Sequence, residues 1–278
     1  MGVMLDRRVV SRCEVAPGHG GMTKKTILVT GGTGTLGRAL VRRLAADHDD
    51  HTRVLTRAPE PTPATAALDG RSAVELMTGD LMTGVGVGEA VAGADVIVHC
   101  ATTNGRDDVV ATRHLVDAAL GAGRRPHLIY VSIVGVDVVP LSYYRAKLEA
   151  EQLITESGLP WTIQRVTQFH DLLARVFAAQ RLVPWTTVPA GFRFQPIDVR
   201  DVARRLADLV AGEPAGRAPD LGGPQVRTMR DLAKLYRRRP VLRVPLPGAT
   251  ARAIVQGGNL APGHAYGEFS FDDFVAGR

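Results

Sequence analysis

A chain of 278 residues, 45% apolar and 22% charged, is long enough to bury a sizeable core, and its composition excludes a fibrous or low-complexity protein. The net charge of +6 comes from arginines scattered in ones and twos, and aromatics do not interleave with them, which argues against a nucleic-acid surface. No apolar run is long enough to span a bilayer, and Cys13 and Cys100 make no disulfide framework, so the expected setting is the reducing cytoplasm, away from membrane.

Residues 1–22 read as a flexible tail. Arg7-Arg8 is followed by no hydrophobic stretch, so neither a Sec nor a twin-arginine signal is expected. Thr26-Ile27-Leu28-Val29-Thr30 then makes a short β-branched strand. It ends in a turn whose glycines, Gly31, Gly34 and Gly37, stand three apart, and the turn opens a helix over residues 36 to about 47. In the first β-turn-α of a Rossmann unit each glycine has a task. Gly31 lets the strand turn sharply, Gly34 lets backbone approach a pyrophosphate, and Gly37 lets the helix pack closely on the sheet. Thr33, Thr35, Leu36 and Arg38 complete the turn, whose free N–H groups at a helix N-terminus favour an anion.

Asp47-His48-Asp49-Asp50-His51 bunches ligand-type side chains, but contiguous loop residues seldom converge on one ion, and no metal site is expected. Residues 52–57 read as the second strand, 58–70 as a loop rich in Pro, Ala and Thr, and 72–77 as the third strand, ending at Gly79-Asp80-Leu81. A short helix at 85–91 precedes a strand at 95–100, which is apolar enough to be buried on both faces. A helix at about 107–120, capped by Gly121, leads to a strand at 128–132. A helix at 142–157, stopped by Gly158, leads to a strand at 160–166.

Beyond about 185 the pattern changes. Residues 192–197 are extended, Asp198 or Asp201 can cap a helix running to about 211, and Thr228 caps another at 229–237. Arg237-Arg238-Arg239 ends that helix as a solvated cluster suited to the C-terminal dipole. Strands alternating with helices at this spacing predict an α/β fold, a Rossmann-type doubly wound parallel sheet with a small C-terminal lobe covering the substrate. The expected division is a tail at 1–22, a dinucleotide-binding core at 23–185, and a mixed α/β region at 186–278 that is part core and part lobe.

Ligands of such sheets bind outside the carboxyl ends of the strands, which selects the residues for chemistry. The second strand ends in Thr56-Arg57, with no acid before Glu60, where an NAD enzyme would place a carboxylate for the ribose 2′-OH. Arg57 can pair with a 2′-phosphate, and Arg38 adds positive charge, so NADP(H) is the expected cofactor and NAD(H) the lesser choice. Tyr143 and Lys147 stand at i and i+4 on one helix face, where an ammonium would lower the pKa of a phenol. Ser132, ending the preceding strand, is at the same edge and can bind a substrate oxygen. Lys147 could instead pair with Glu151. Gln168 and His170, after the sixth strand, are candidate substrate contacts, with a structural cap the commoner role for such a histidine. Trp185, Phe192 and Phe194 are candidate lobe or pocket residues.

The chain resembles the atypical, NmrA-like branch of the short-chain dehydrogenase/reductase superfamily from about 25 to 275. The resemblance is carried by Thr30-Gly31-Gly32-Thr33-Gly34-Thr35-Leu36-Gly37-Arg38, Gly79-Asp80-Leu81, Val131-Ser132-Ile133-Val134-Gly135, Tyr143-Tyr144-Arg145-Ala146-Lys147, Asp198-Val199-Arg200-Asp201-Val202-Ala203 and Leu221-Gly222-Gly223-Pro224. It implies that Asp80 and Leu81 flank the adenine, that Ala101 and Thr102 line the nicotinamide half, and that Lys147 also binds the nicotinamide ribose. Two adjacent tyrosines precede the lysine; spacing selects Tyr143, and Tyr144 stays as the alternative. The expected function is an NADP(H)-dependent reductase transferring hydride to a small carbonyl or quinone-like molecule. The alternative is a dinucleotide-binding redox sensor without turnover, and no feature marks a nucleotide-sugar site. A homodimer through exposed helices is expected by analogy alone.

Overall fold

The computed structural model describes residues 24–46, 50–58, 74–103 and 105–277. The expected tail, Asp47–Asp49 and most of the 58–70 loop, with Glu60, lie outside the described residues. The chain runs β1 (Thr26–Thr30), α1 (Thr35–Ala46), β2 (His51–Thr56), β3 (Val74–Thr78), α2 (Val87–Val91), β4 (Val96–His99), α3 (Asp107–Gly121), β5 (His127–Ile133), α4 (Ser142–Glu156) and β6 (Trp161–Val166). It continues through α5 (His170–Ala178), β7 (Thr186–Pro189), β8 (Arg193–Phe194), α6 (Val199–Ala211), β9 (Gly216–Arg217), β10 (Arg227–Thr228), α7 (Met229–Arg237), β11 (Val241–Val244), α8 (Ala249–Val255) and α9 (Phe271–Ala276).

The main sheet has seven strands in the order β3-β2-β1-β4-β5-β6-β9, and every pairing in it is parallel. The order reverses between β1 and β4, so the carboxyl ends of those two strands flank a crevice, the usual ligand position in such sheets. Because successive side chains alternate across the pleat and both faces are covered, the middle positions of β1 and β4 are consecutive buried apolar residues. Ile27 and Val29 of β1 pack with Leu40, Val41 and Leu44 of α1 and with Val202, Leu206 and Val210 of α6. Leu28 faces the other way, into a cluster with Ile97, Leu115, Leu128 and Ile154. Each such fully buried side chain contributes roughly 1.5–3 kcal/mol, so both faces of the sheet resist opening.

Past residue 186, side-chain caps set the starts of two helices. Asp198 rather than Asp201 caps α6, its carboxylate accepting from Arg200 N–H at 2.9 Å. Asp201 instead accepts the backbone N–H groups of Glu268 and Phe269. Thr228 caps α7 through Asp231 N–H. A third cluster gathers Tyr144, Leu173, Phe177, Phe192, Met229, Leu232, Ile254 and Phe271. The parallel β7–β11 pair was not legible in the sequence. The arginine run does more than sit in solvent: Arg237 donates to the carbonyls of Phe177 and Arg181, and Arg239 to those of Arg181 and Val183, tying the end of α7 to the end of α5.

One buried ion pair fixes the helix that matters for the site. Arg165 of β6 donates Nε to Glu151 Oε1 at 2.8 Å and Nη2 to Oε2 at 2.6 Å, with Asp137 accepting from Nη1 at 2.7 Å. The pair pins α4 against the sheet in a single register. Removing one partner leaves an uncompensated buried charge, so Glu151→Ala should cost roughly 3 kcal/mol in urea denaturation, whereas a loss near zero would show that Asp137 alone satisfies Arg165.

Candidate active site

The site begins at the turn between β1 and α1. Gly31 has φ +69°, and a Cβ there would fall 2.6 Å from the backbone nitrogen of Ala101, so only glycine lets this turn meet the segment after β4. Gly37 allows an equally close approach, but to the carbonyl of Gly31 and the Cα of Gly32, so it closes the helix on the turn itself. Gly34 is exposed, its N–H donates to Gly31 O at 2.9 Å, and a Cβ there would meet only that carbonyl within 4 Å. The first-turn amides of α1 have no intrahelical acceptor and open onto this face. The turn therefore fits a pyrophosphate: close backbone access with free donors at a helix N-terminus.

The flanking residues are tied to the same rim. Arg38 Nη1 donates to Thr33 O at 2.9 Å, and Arg175 of α5 reaches Thr35 Oγ1 at 3.2 Å. Thr56 is buried and accepts from Ala58 N–H, while Arg57 is exposed at the end of β2. Asp80 turns its carboxylate to Met82 N–H at 2.9 Å, and Leu81 O receives a hydrogen bond at His114 Nδ1, 2.7 Å away. Both residues follow β3, at the same carboxyl edge as the glycine turn.

The proton-bearing groups meet across the crevice. Tyr143 OH lies 3.2 Å from Thr102 Oγ1, Thr102 Oγ1 donates to Asp108 Oδ2 at 2.7 Å, and Lys147 Nζ lies 3.5 Å from the same carboxylate oxygen. Lys147 also donates to Val131 O at 3.4 Å and stands over the Tyr130 ring. Glu151, the alternative partner for Lys147, is taken by Arg165. Lys147 is only 4% exposed, and burial holds its pKa below the usual lysine range, with Asp108 opposing the shift.

The expected lowering of the tyrosine pKa is not what these surroundings produce. Burial pushes the Tyr143 hydroxyl up to about 12; the hydrogen bond with Thr102 opposes this, and Asp108 adds to it. Burial is the largest cause, and the Lys147 charge, paired with Asp108 at 3.5 Å, does not offset it. Tyr143 is thus a protonated group at neutral pH. Tyr144 turns away: it is buried in the lobe cluster, and its hydroxyl accepts from Gln168 Nε2 at 3.2 Å.

The other candidates are placed unevenly. Ser132 lies one residue past Val131 on β5, on the same face as Tyr130, and its hydroxyl is buried with no partner among the described residues. Gln168 touches Tyr144 rather than Tyr143. His170 is fully buried against Phe271 and Phe274, with Nδ1 3.6 Å from Asp198, so it stands in the core and is not brought to Tyr143. Sequence reading missed Asp108 and Arg175. Asp108 looked like an ordinary acidic residue in a first helical turn; its spacing after Thr102-Thr103 carried no motif. Arg175 meets Thr35 only through the fold.

Comparison with known proteins shows the family and the fold. A family described as NAD(P)H-binding matches residues 31–212. The photosystem II assembly factor Ycf39 of Cyanophora paradoxa is 32% identical over 241 residues, covering 80% of this chain and 72% of that protein. The (4-alkanoyl-5-oxo-2,5-dihydrofuran-3-yl)methyl phosphate reductase of Streptomyces griseus is 31% identical over 213 residues, covering 74% and 70%. Matches to mycobacterial proteins span only 19% of those longer chains. Among solved structures, the NADPH-dependent quinone oxidoreductase QOR2 of Escherichia coli, complexed with NADPH, has a similar fold: TM-score 0.75, 17% identity, 90% of this chain and 99% of that one.

With Arg175 at the rim of the glycine turn, Arg175→Ala should weaken NADPH binding about three- to tenfold by calorimetric titration. An unchanged Kd would mean that the contact with Thr35 serves only to tether α5.

Proposed function

The chain belongs to the NAD(P)H-binding family, and from that membership we propose an NADP(H)-dependent reductase of the atypical, NmrA-like short-chain branch, acting on a small carbonyl or quinone-like acceptor. The observation that carries the proposal is the contact between Gly31 and Ala101, which sets a pyrophosphate-fitting turn beside Thr102 and hence beside Tyr143. Similarity to a reductase and to an NADPH-bound oxidoreductase fold supports it.

When bound, the dinucleotide supplies the hydride. The chain's own residues do the rest. The turn over residues 31–37 receives the pyrophosphate, and Arg57, with Arg38, reads the 2′-phosphate. Tyr143, protonated at neutral pH, donates its hydroxyl proton to the substrate oxygen as that oxygen gains electrons. Lys147 and the Ser132 hydroxyl supply positive charge and a hydrogen bond at the carboxyl end of β5. At neutral pH the tyrosine carries the proton that the reductive direction requires.

A second reading, a dinucleotide-binding regulator without turnover, is favoured by the relative named as an assembly factor. Mixing the protein with NADPH and a panel of aldehydes, ketones and quinones, while following nicotinamide absorbance, separates the two. Oxidation with any acceptor supports the reductase; tight NADPH binding with no oxidation across the panel supports the regulator.

Three variants sharpen the assignment. Tyr143→Phe should cut turnover by about a hundredfold or more while leaving NADPH affinity nearly intact. Tyr144→Phe should cost about 1 kcal/mol of stability and leave turnover near the wild-type value; the reverse pattern would move the proton donor to Tyr144. Arg57→Ala should weaken NADPH about tenfold more than NADH, and equal losses would remove Arg57 from the 2′ site.

A further inference from the structure

Asp108 belongs to no motif, yet it is the most heavily engaged carboxylate near the crevice. Only 2% of it is exposed. Oδ1 accepts from the backbone N–H and the hydroxyl of Thr103, the latter at 2.9 Å, and Oδ2 accepts from the Thr102 hydroxyl at 2.7 Å with Lys147 Nζ 3.5 Å away. An ordinary acidic residue in a first helical turn faces its own helix N-terminus. Asp108 reaches backwards instead, into the loop that follows β4. Its own backbone is fixed as well: its carbonyl accepts from Thr112 Oγ1 at 2.6 Å, and Thr112 is held through His99 to Thr30 at the end of β1.

The donor count settles a direction that distance alone leaves open. A threonine hydroxyl has one proton, and here it goes to Asp108. The Thr102 oxygen is then left as an acceptor, so in the 3.2 Å contact Tyr143 is the donor. We propose that Asp108 is a positioning residue: by taking the Thr102 proton it leaves the Thr102 oxygen as an acceptor that holds the Tyr143 proton until a substrate oxygen replaces that contact, and by pairing with Lys147 it keeps that cation beside the site. The role rests on Tyr143 being the proton donor of the reaction proposed above. It forms and breaks no bond itself.

The charge of Asp108 has a measurable signature. The groups that act on Lys147 are Asp108 from α3, Glu151 from its own helix, and Cys100 from the end of β4, with the Tyr130 ring beneath it and buried His99 nearby. Those that act on Tyr143 are Thr102, Asp108 and Tyr144. Asp108 raises the pKa of both Lys147 and Tyr143. Removing its charge must therefore lower both, whichever of the two sets the basic limb of activity.

Asp108→Asn keeps the shape, removes the charge, and offers an amide donor where an acceptor stood. Lys24, Lys25, Lys147 and Lys234 are the chain's lysines, so the ε-carbon resonance of Lys147 can be resolved by isotope labelling and assigned by its loss in Lys147→Arg. The resonance should titrate about one pH unit or more lower in Asp108→Asn than in wild type, and stay near wild type in Asp108→Glu. An unmoved midpoint in a folded Asp108→Asn overturns the proposal, as does the same shift in Asp108→Glu, which would mark a packing effect. In turnover, the basic limb should move the same way in Asp108→Asn alone; a uniform drop at all pH values with an unmoved limb would also overturn it. If the Lys147 midpoint moves as expected while wild type oxidises NADPH with no acceptor, the reductase reading fails and the electrostatic role of Asp108 stands.

Discussion

A carboxylate taken out of water must find donors or be lost as a charge, and Asp108 meets that demand by drawing two other segments onto its own helix. The loop after β4 gives Thr102 and Thr103, α4 gives Lys147, and α3 holds the carboxylate in place. Because a buried charge is costly when unpaired, each segment is held in the position that serves the others. The geometry of the candidate site follows from this one constraint. Tyr143 faces Thr102 because Thr102 is turned to Asp108, and Lys147 sits over Tyr130 because its charge is answered from the opposite helix.

The scaffold supplies the other half. A sheet buried on both faces leaves its polar chemistry to the strand ends, and the reversal of order between β1 and β4 opens those ends into a crevice. Gly31 brings the first turn against Ala101 with no room for a side chain, so the phosphate-fitting face and the tyrosine cluster cannot drift apart. The Arg165–Glu151 pair does the same for α4 from below. Neither contact involves the Tyr143 side chain, yet both hold the elements around it.

Much of the fold was legible because it depends on local rules. The glycine spacing, the apolar runs of β1 and β4, the cap at Thr228 and the Asp198/Asp201 pair of candidate caps each announce an element through its own residues. The short β7–β11 pair was not, because strands of four residues far apart in sequence carry no periodicity. In the site, the i, i+4 pair of Tyr143 and Lys147 could be read from helix geometry, and so could the adjacency of the glycine turn to the strand ends. The tyrosine's acidity could not. It depends first on how deeply the fold buries the phenol, and then on Thr102 and Asp108, the latter on another helix with no spacing signal. His170 shows the converse: a polar residue at a strand end that the fold takes into an aromatic core.

The central claim is that one crevice holds both the dinucleotide and the proton donor. A crystal structure with NADPH tests it most directly. The account predicts the pyrophosphate against the N–H groups of the turn at residues 31–37, with the nicotinamide beside the Tyr143 hydroxyl. A dinucleotide bound away from that turn, or a nicotinamide facing Tyr144 while Tyr143 stays remote, would contradict it.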